Sequence, residues 1–268
     1  FKQKTAYEIS LGLVGSEMCI RDRAILEAAV ELGVEVVELV DEGPHRLDKR
    51  RLELARRVLN ALGLEVAVHG PFVDMNIGSP HEPTRRFVLK RHFKSMEAAS
   101  QLGAVAWVFH PGLLTGLNHF FPGIEWRQSL KSVRELADKA EELGLSIFLE
   151  NGPEPVPFLL KRARDFEEFL SELGSGAEIG LAFDVGHAYL CGQGQVDAFT
   201  KAPLADKIGH VHVHDNDGRA DLHLALGSGV VGWAEAVEKL KAAGYRGPVV
   251  VESVERPLES VRALSKLL

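Results

Sequence analysis

The sequence predicts a single-domain (β/α)8 barrel, a parallel sheet closed on itself with helices outside. Three observations predict it. From Ala24 onward the chain repeats one unit, in which a charged amphipathic segment ends at Gly and a short apolar, β-branched run follows. The runs are nearly continuous in apolar residues, as strands buried on both faces read. Seven of them, with room for an eighth, fit in 268 residues with no linker, low-complexity stretch or composition shift between them. That density favours a closed barrel over an open sheet.

The elements follow in order. Residues 1–23 contain GLVGSEMCIRDR, which has neither the apolar core of a signal peptide nor the ordering of a helix and reads as a translated sequencing adapter. We therefore expect 1–23 to be a non-native segment that packs poorly and assign the barrel to 24–268. The first strand would have to come from residues 5–14 and is expected to be non-native or missing. The later strands are VEVVELV (34–40), LEVAVHG (64–70), AVAWVFHPG (104–112), LSIFLENG (145–152), EIGLAFDVGH (178–187), IGHVHVHD (208–215) and GPVVVES (247–253). Between them LDKRRLELARRVLNAL, RRFVLKRHFKSMEAASQL, WRQSLKSVRELADKAEEL and WAEAVEKLKAAG carry apolar residues at helical spacing. Leu-Gly pairs at 32–33, 62–63, 102–103 and 143–144 read as helix stops. PEPVP at 153–157 reads as a loop above the barrel, and the basic runs HRLDKRR (45–51) and RRFVLKRH (85–92) as solvated faces of outer helices.

Composition narrows the function. Thirty-eight acidic against 31 basic residues give a formal charge of −7, so no chain-wide attraction draws this protein to nucleic acid. No apolar run is long enough to cross a bilayer. The only cysteines are Cys19 and Cys191, which suits a reducing compartment, and a cytoplasmic location is expected. These features favour small-molecule chemistry.

Each strand run carries, at or near its end, a residue able to bind a metal or move a proton: Glu38, His69, His110, Glu150, Asp184 with His187, His212 with His214, and Glu252. In a barrel those ends converge on one pocket. Burying so many carboxylates and imidazoles unpaired would cost several kcal/mol for each ion, and no matching set of Lys or Arg stands at the strand ends. A divalent cation is the natural counter-charge. Mixed His and carboxylate donors favour Zn, Mn, Co or Fe over Ca. Alternation places His210, His212 and His214 on one face of their strand. Of these, His212 is the expected ligand, His214 and Asp215 stand at the rim and hold the following loop or back the metal ligands, and His210, the deepest, is structural. Asp221 and His223, spaced DLH, point to the same side if the loop is locally extended, and LGSG after them allows a tight turn or close backbone approach.

The series VHGPFVDMNIGSP, VFHPG, FLENG, FDVGHAYL, HVHVHDNDGRADLHLALGSG and VVVES resembles, along nearly the whole chain after Ala24, the xylose-isomerase-like TIM barrels. That superfamily includes sugar isomerases and epimerases, and also endonuclease IV, which cuts DNA at abasic sites. The epimerase pattern implies one metal on Glu150, Asp184, His212 and Glu252, with Glu150 and Glu252 removing and returning a proton through an enediolate. It also implies substrate contacts from Glu38, His187, Arg219 and Phe72. The endonuclease pattern implies three metals: one on His69, His110 and Glu150, a second on Glu150, Asp184, His212 and Glu252, and a third on His187, Asp221 and His223. The expected cofactor is thus a divalent metal (Zn, Mn, Co or Mg), one to three ions, and the expected partner a sugar or polyol-derived small molecule, with room for a homo-oligomer. Against the nuclease, Glu38 stands where a basic DNA-contacting loop would lie, ENGPEP lacks a small polar run, and HDNDG lacks a lysine. Ser228 replaces an acidic residue frequent in both groups.

Overall fold

The computed structural model describes residues 7–9, 20–192 and 194–268. Their strands are β1 (Tyr7–Ile9), β2 (Val36–Val40), β3 (Glu65–His69), β4 (Ala106–Phe109), β5 (Ile147–Glu150), β6 (Gly180–Asp184), β7 (Ile208–Val213) and β8 (Val249–Val251). They form one eight-stranded sheet in the order β1-β8-β7-β6-β5-β4-β3-β2, parallel at every pairing. The two ends of that order, β1 and β2, approach each other, so the sheet curls into a barrel. The first strand is therefore present, inside the 5–14 stretch expected to supply it. Most of the segment read as non-native lies outside the described residues.

Helices wrap the outside: α1 (Ile20–Glu31), α2 (Lys49–Leu62), α3 (Glu82–Leu102), α4 (Ile124–Leu143), α5 (Ala163–Leu173), α6 (Val185–Leu190), α7 (Gly194–Phe199), α8 (Trp233–Ala242) and α9 (Pro257–Leu264). Asp48 starts α2 by accepting a hydrogen bond from the Arg51 amide at 2.9 Å, and Gly63 ends it in the left-handed region at φ 67°. Gly103 and Gly144 end α3 and α4 in the same conformation, as the Leu-Gly pairs predict. The basic run at 85–92 departs from expectation. Arg85 is buried, with Nη2 2.8 Å from Glu135 and Nη1 3.0 Å from Ser132, and His92 is buried beside Trp107. Arg85, Val88, Leu89 and His92 line the face of α3 that packs against its neighbours β3, α2 and α4, while Arg86, Phe87 and Lys90 stay exposed.

Strand alternation builds the rest. Outward residues such as Val37, Leu39, Val68, Trp107, Phe109, Leu149, Phe183, Val211, Val213 and Val251 form the main core with the helices. Inward residues Val36, Ala67 and Ala106 pack with Phe148 in a separate cluster inside the barrel. Two residues further along each of these strands, or four along β4, come Glu38, His69, His110 and Glu150. Between β6 and β7 the register shifts, pairing Leu181 with Ile208 but Ala182 with His210. The residue left over is Gly209, and a Cβ there would run into the Phe148 ring. The shift brings His212 level with Asp184.

Candidate metal centre

Glu150 ends β5 and is the hub of the site. Its Oε1 lies 2.8 Å from His212 Nδ1, while its Oε2 lies 2.9 Å from His110 Nε2 and 3.1 Å from His69 Nε2. His212 Nδ1 is also 3.5 Å from Glu252 Oε1 and 4.0 Å from Asp184 Oδ2. Beside this group, Asp221 Oδ2 sits 3.2 Å from His187 Nε2 and 3.3 Å from His223 Nε2. Four sets of donors come within 4.8 Å of one another: His69, His110, Glu150; Glu150, Asp184, His212, Glu252; His187, His214, Asp221, His223; and Glu38, His210, His212.

The protonation pattern tests whether these donors suit a metal. Backbone carbonyls fix three of the rings, since Nδ1–H of His69 donates to Gly70 O at 2.8 Å, that of His187 to Asn151 O at 2.8 Å, and that of His223 to Glu252 O at 3.0 Å. In a neutral ring Nε2 then holds the lone pair, and in each case it faces a carboxylate oxygen. Lone pair against carboxylate repels, so positive charge must lie between them. With no cation bound, a second proton supplies it. Burial opposes that proton, but Glu150 keeps His69 up at about 9, Asp184 and Asp221 keep His187 up at about 10, and Asp221 and Glu252 keep His223 up at about 9. Burial likewise works to raise Glu150, yet His212, His110 and His69 hold its carboxyl well below the usual range. Among the described residues every ion-pair partner of Glu150, Asp184, Asp221 and Glu252 is a histidine. Asp184 Oδ2 and Asp221 Oδ1 are buried with no hydrogen-bond partner, and the buried His214 Nε2 meets only carboxylate oxygens of Asp184 and Asp221 at 3.2 and 3.6 Å. A divalent cation would satisfy these orphaned atoms and replace the extra protons, so the donor set fits one.

With this geometry at the carboxyl ends of the strands, the comparisons with known proteins are decisive for lineage. A profile of the xylose isomerase-like TIM barrel family matches residues 26–267. The chain belongs to that family. An uncharacterized protein of Methanocaldococcus jannaschii, MJ1311, is 29% identical over 228 residues, which are 85% of this chain and 78% of that protein. Fructoselysine 3-epimerase of Escherichia coli O157:H7 is 25% identical over 250 residues, spanning 89% of this chain and 87% of the enzyme. The crystal structure of a D-tagatose 3-epimerase-like protein matches with a TM-score of 0.87 at 26% identity, covering 98% of this chain and 97% of that one.

Within this xylose isomerase-like barrel the loop after β7 delivers Asp221 and His223. Asp215 holds that loop: its carboxylate accepts the amides of Asn216 at 3.0 Å and of Gly227, Gly229 and Val231 at 2.9 Å each. Gly229 is required, because a Cβ would strike Asn216 O and the Asp215 carboxylate. Asp215→Ala leaves four amides without an acceptor and is expected to cost on the order of 3 kcal/mol of stability. Hydrogen exchange across 216–231 would rise with it, and Asp215→Asn would recover part of both. Unchanged protection in Asp215→Ala would show that the loop is held elsewhere.

The remaining expected site residues divide. Phe72 is half-exposed, its ring centroid 5.3 Å from that of His69 and 5.5 Å from that of His110, so it walls the mouth. Glu42 sets that wall by accepting the Phe72 and Val73 amides at 2.7 and 2.9 Å. Arg219 is exposed on the loop. Glu38, expected to contact substrate, is fully buried with its carboxylate on His210 and His212. It stands mid-strand in β2, one layer below the mouth, which corrects that expectation.

One residue gains a role that sequence reasoning did not give it. Asn151 ties the end of β5 to that of β6, accepting the Asp184 amide at 2.8 Å and donating to Asp184 O at 2.9 Å, while its own carbonyl orients His187. The signal was an amide residue placed directly after the Glu that ends a strand. His214, expected at the rim to hold the loop or back the metal ligands, brings Nε2 to 3.2 Å from Asp184 Oδ1 and 3.6 Å from Asp221 Oδ1. Its ring fills the space a Cβ on Gly186 would need.

Proposed function

We propose that this protein is a divalent-metal-dependent isomerase or epimerase acting on a sugar or sugar-like hydroxy-carbonyl compound. The observation that supports this most is the convergence of Glu150, Asp184, His212 and Glu252 on one point at the barrel mouth, in a family whose relatives include a fructoselysine 3-epimerase. Those four residues would hold the metal. When bound, it supplies the positive charge that acidifies the carbon next to a substrate carbonyl.

The chain's own groups do the rest. A reaction of this kind needs a carboxylate to take the carbon-bound proton and a group to return it through an enediolate. Glu252 is the less encumbered of the two, since its carboxylate lies 3.5 Å from His212 and 3.6 Å from His223, whereas Glu150 has three imidazole contacts at 3.1 Å or less. Glu150 and Glu252 are the proton carriers. His187 stands beside them; with Nδ1 held by the Asn151 carbonyl, its Nε2 is the nitrogen that could meet a substrate oxygen. The Phe72 ring over His69 and His110 excludes water from that side.

The second reading is a three-metal phosphodiesterase acting on abasic DNA. What favours it is that His69–His110–Glu150 and His187–Asp221–His223 also assemble, which a one-metal epimerase does not require. The test incubates the protein with a panel of ketoses in heavy water and, separately, with an abasic-site duplex, alongside elemental analysis. Deuterium entering a ketose without strand cleavage is the expected result, with at least one tightly held transition metal. Strand cleavage without deuterium would select the second reading, and an ordered site that binds no metal would end both.

A further inference from the structure

Glu38 lies beneath the four-donor group, and nothing in the proposed chemistry uses it. Its Oε2 accepts from His210 Nε2 at 2.9 Å. Its Oε1 is 3.5 Å from His212 Nε2, and both of those atoms are buried with no hydrogen-bond partner. They are orphans that face each other. The opposite nitrogen of the same ring, Nδ1, faces Glu150, Glu252 and Asp184. A neutral imidazole carries its proton on one nitrogen and its lone pair on the other, so a ring that offers Nδ1 to a cation must carry the proton on Nε2.

We infer that Glu38 is a positioning residue that accepts the Nε2–H of His212 and so fixes this ring as an Nδ1 donor to the metal, an inference resting on the metal site proposed above. A carboxylate behind a ligating imidazole sets its orientation and raises its basicity. The surroundings strengthen the effect. Glu38 pairs in register with Ala67, next to the inner cluster of Val36, Ala67, Ala106 and Phe148, and the Phe148 ring stacks with His210 at 6.1 Å between centroids. In so apolar a setting the carboxylate has few other places to direct its charge, and its two oxygens go to two histidines of one strand. The same pairing accounts for two inward histidines in succession on β7: His210 anchors Glu38, Glu38 orients His212, and His212 faces the metal donors.

The test uses zinc on the purified full chain, with affinity measured by competition against a chromophoric chelator. Glu38→Gln should keep the fold by circular dichroism and lose roughly 10- to 100-fold in zinc affinity. Glu38→Asp, which keeps the charge but shortens the reach, should fall between that variant and the wild type. Nitrogen-15 NMR of the zinc-loaded wild type should show His212 protonated at Nε2, a readout that needs no variant to fold. Wild-type zinc affinity in Glu38→Gln, or an Nδ1-protonated His212, overturns the inference while leaving the metal site standing. Loss of one whole zinc equivalent, with the remaining affinity unchanged, also overturns it, because Glu38 would then be a ligand of a separate ion held with His210 and His212. A wild type that binds no zinc or other divalent metal would remove the proposed site, and this inference with it.

Discussion

Glu150→Gln is expected to strip the protein of most of its metal and to lower its activity by roughly 10³-fold or more. The reason is that Glu150 is shared: it belongs both to the set with His69 and His110 and to the set with Asp184, His212 and Glu252. Gln preserves volume, so the packing around β5 has no cause to change. What disappears is the anion that three imidazoles face at 2.8, 2.9 and 3.1 Å. An amide can accept from one imidazole and donate to the lone pair of another, but it carries no charge to hold a cation among them. With the carboxylate gone, His69 also loses the main influence that offsets its burial, so its extra proton leaves at lower pH. Elemental analysis of wild type and variant, purified side by side, is the direct measurement. Full metal content with activity within tenfold of wild type would show that Glu150 is not the hub.

The convergence that makes this prediction possible was legible because strand alternation has a fixed period. Once LSIFLE reads as a strand, Phe148 and Glu150 must share a face, and the same counting places His210, His212 and His214 together. Helix ends were legible for a comparable reason, since Gly63, Gly103 and Gly144 adopt a left-handed backbone that other residues resist. Where reading failed, the cause was context beyond a single element. The run EIGLAFDVGH continues three residues past the strand because nothing in its hydrophobicity marks Asp184 as a cap, yet the Asp184 carboxylate accepts the His187 amide at 2.6 Å and turns the chain into α6. Arg85 and His92 looked like a solvated face because charge alone does not reveal that Glu82 and Glu135 are waiting for the guanidinium. Glu38 looked like a residue of the mouth because strand length, not composition, sets how far below the rim it stands. The pairing of His212 with Asp184 required the register shift at Gly209, which no local pattern announces.

Glu252→Gln and His223→Ala should separate the two readings of the site, because they affect different parts of it. Glu252 belongs to the four-donor set, and His223 to the set with His187, His214 and Asp221. In an epimerase, Glu252 both holds metal and carries the proton, so Glu252→Gln is expected to reduce deuterium exchange into substrate by roughly 10²- to 10⁴-fold. His223 touches that chemistry only at its edge: Nδ1 donates to the Glu252 carbonyl at 3.0 Å and lies 3.6 Å from the Glu252 carboxylate. Its removal is expected to leave exchange within about tenfold of wild type, because Glu252 keeps its backbone and its contact with His212. A phosphodiesterase makes the opposite demand, since losing His223 would weaken a cation position that stabilises charge developing on phosphate, with a cost of roughly 10²- to 10³-fold. Measuring both variants on ketoses in heavy water and on an abasic-site duplex therefore gives opposite rank orders. An exchange reaction that survives in His223→Ala and vanishes in Glu252→Gln supports the epimerase; strand cleavage that collapses in His223→Ala, with no exchange in any protein, would overturn it.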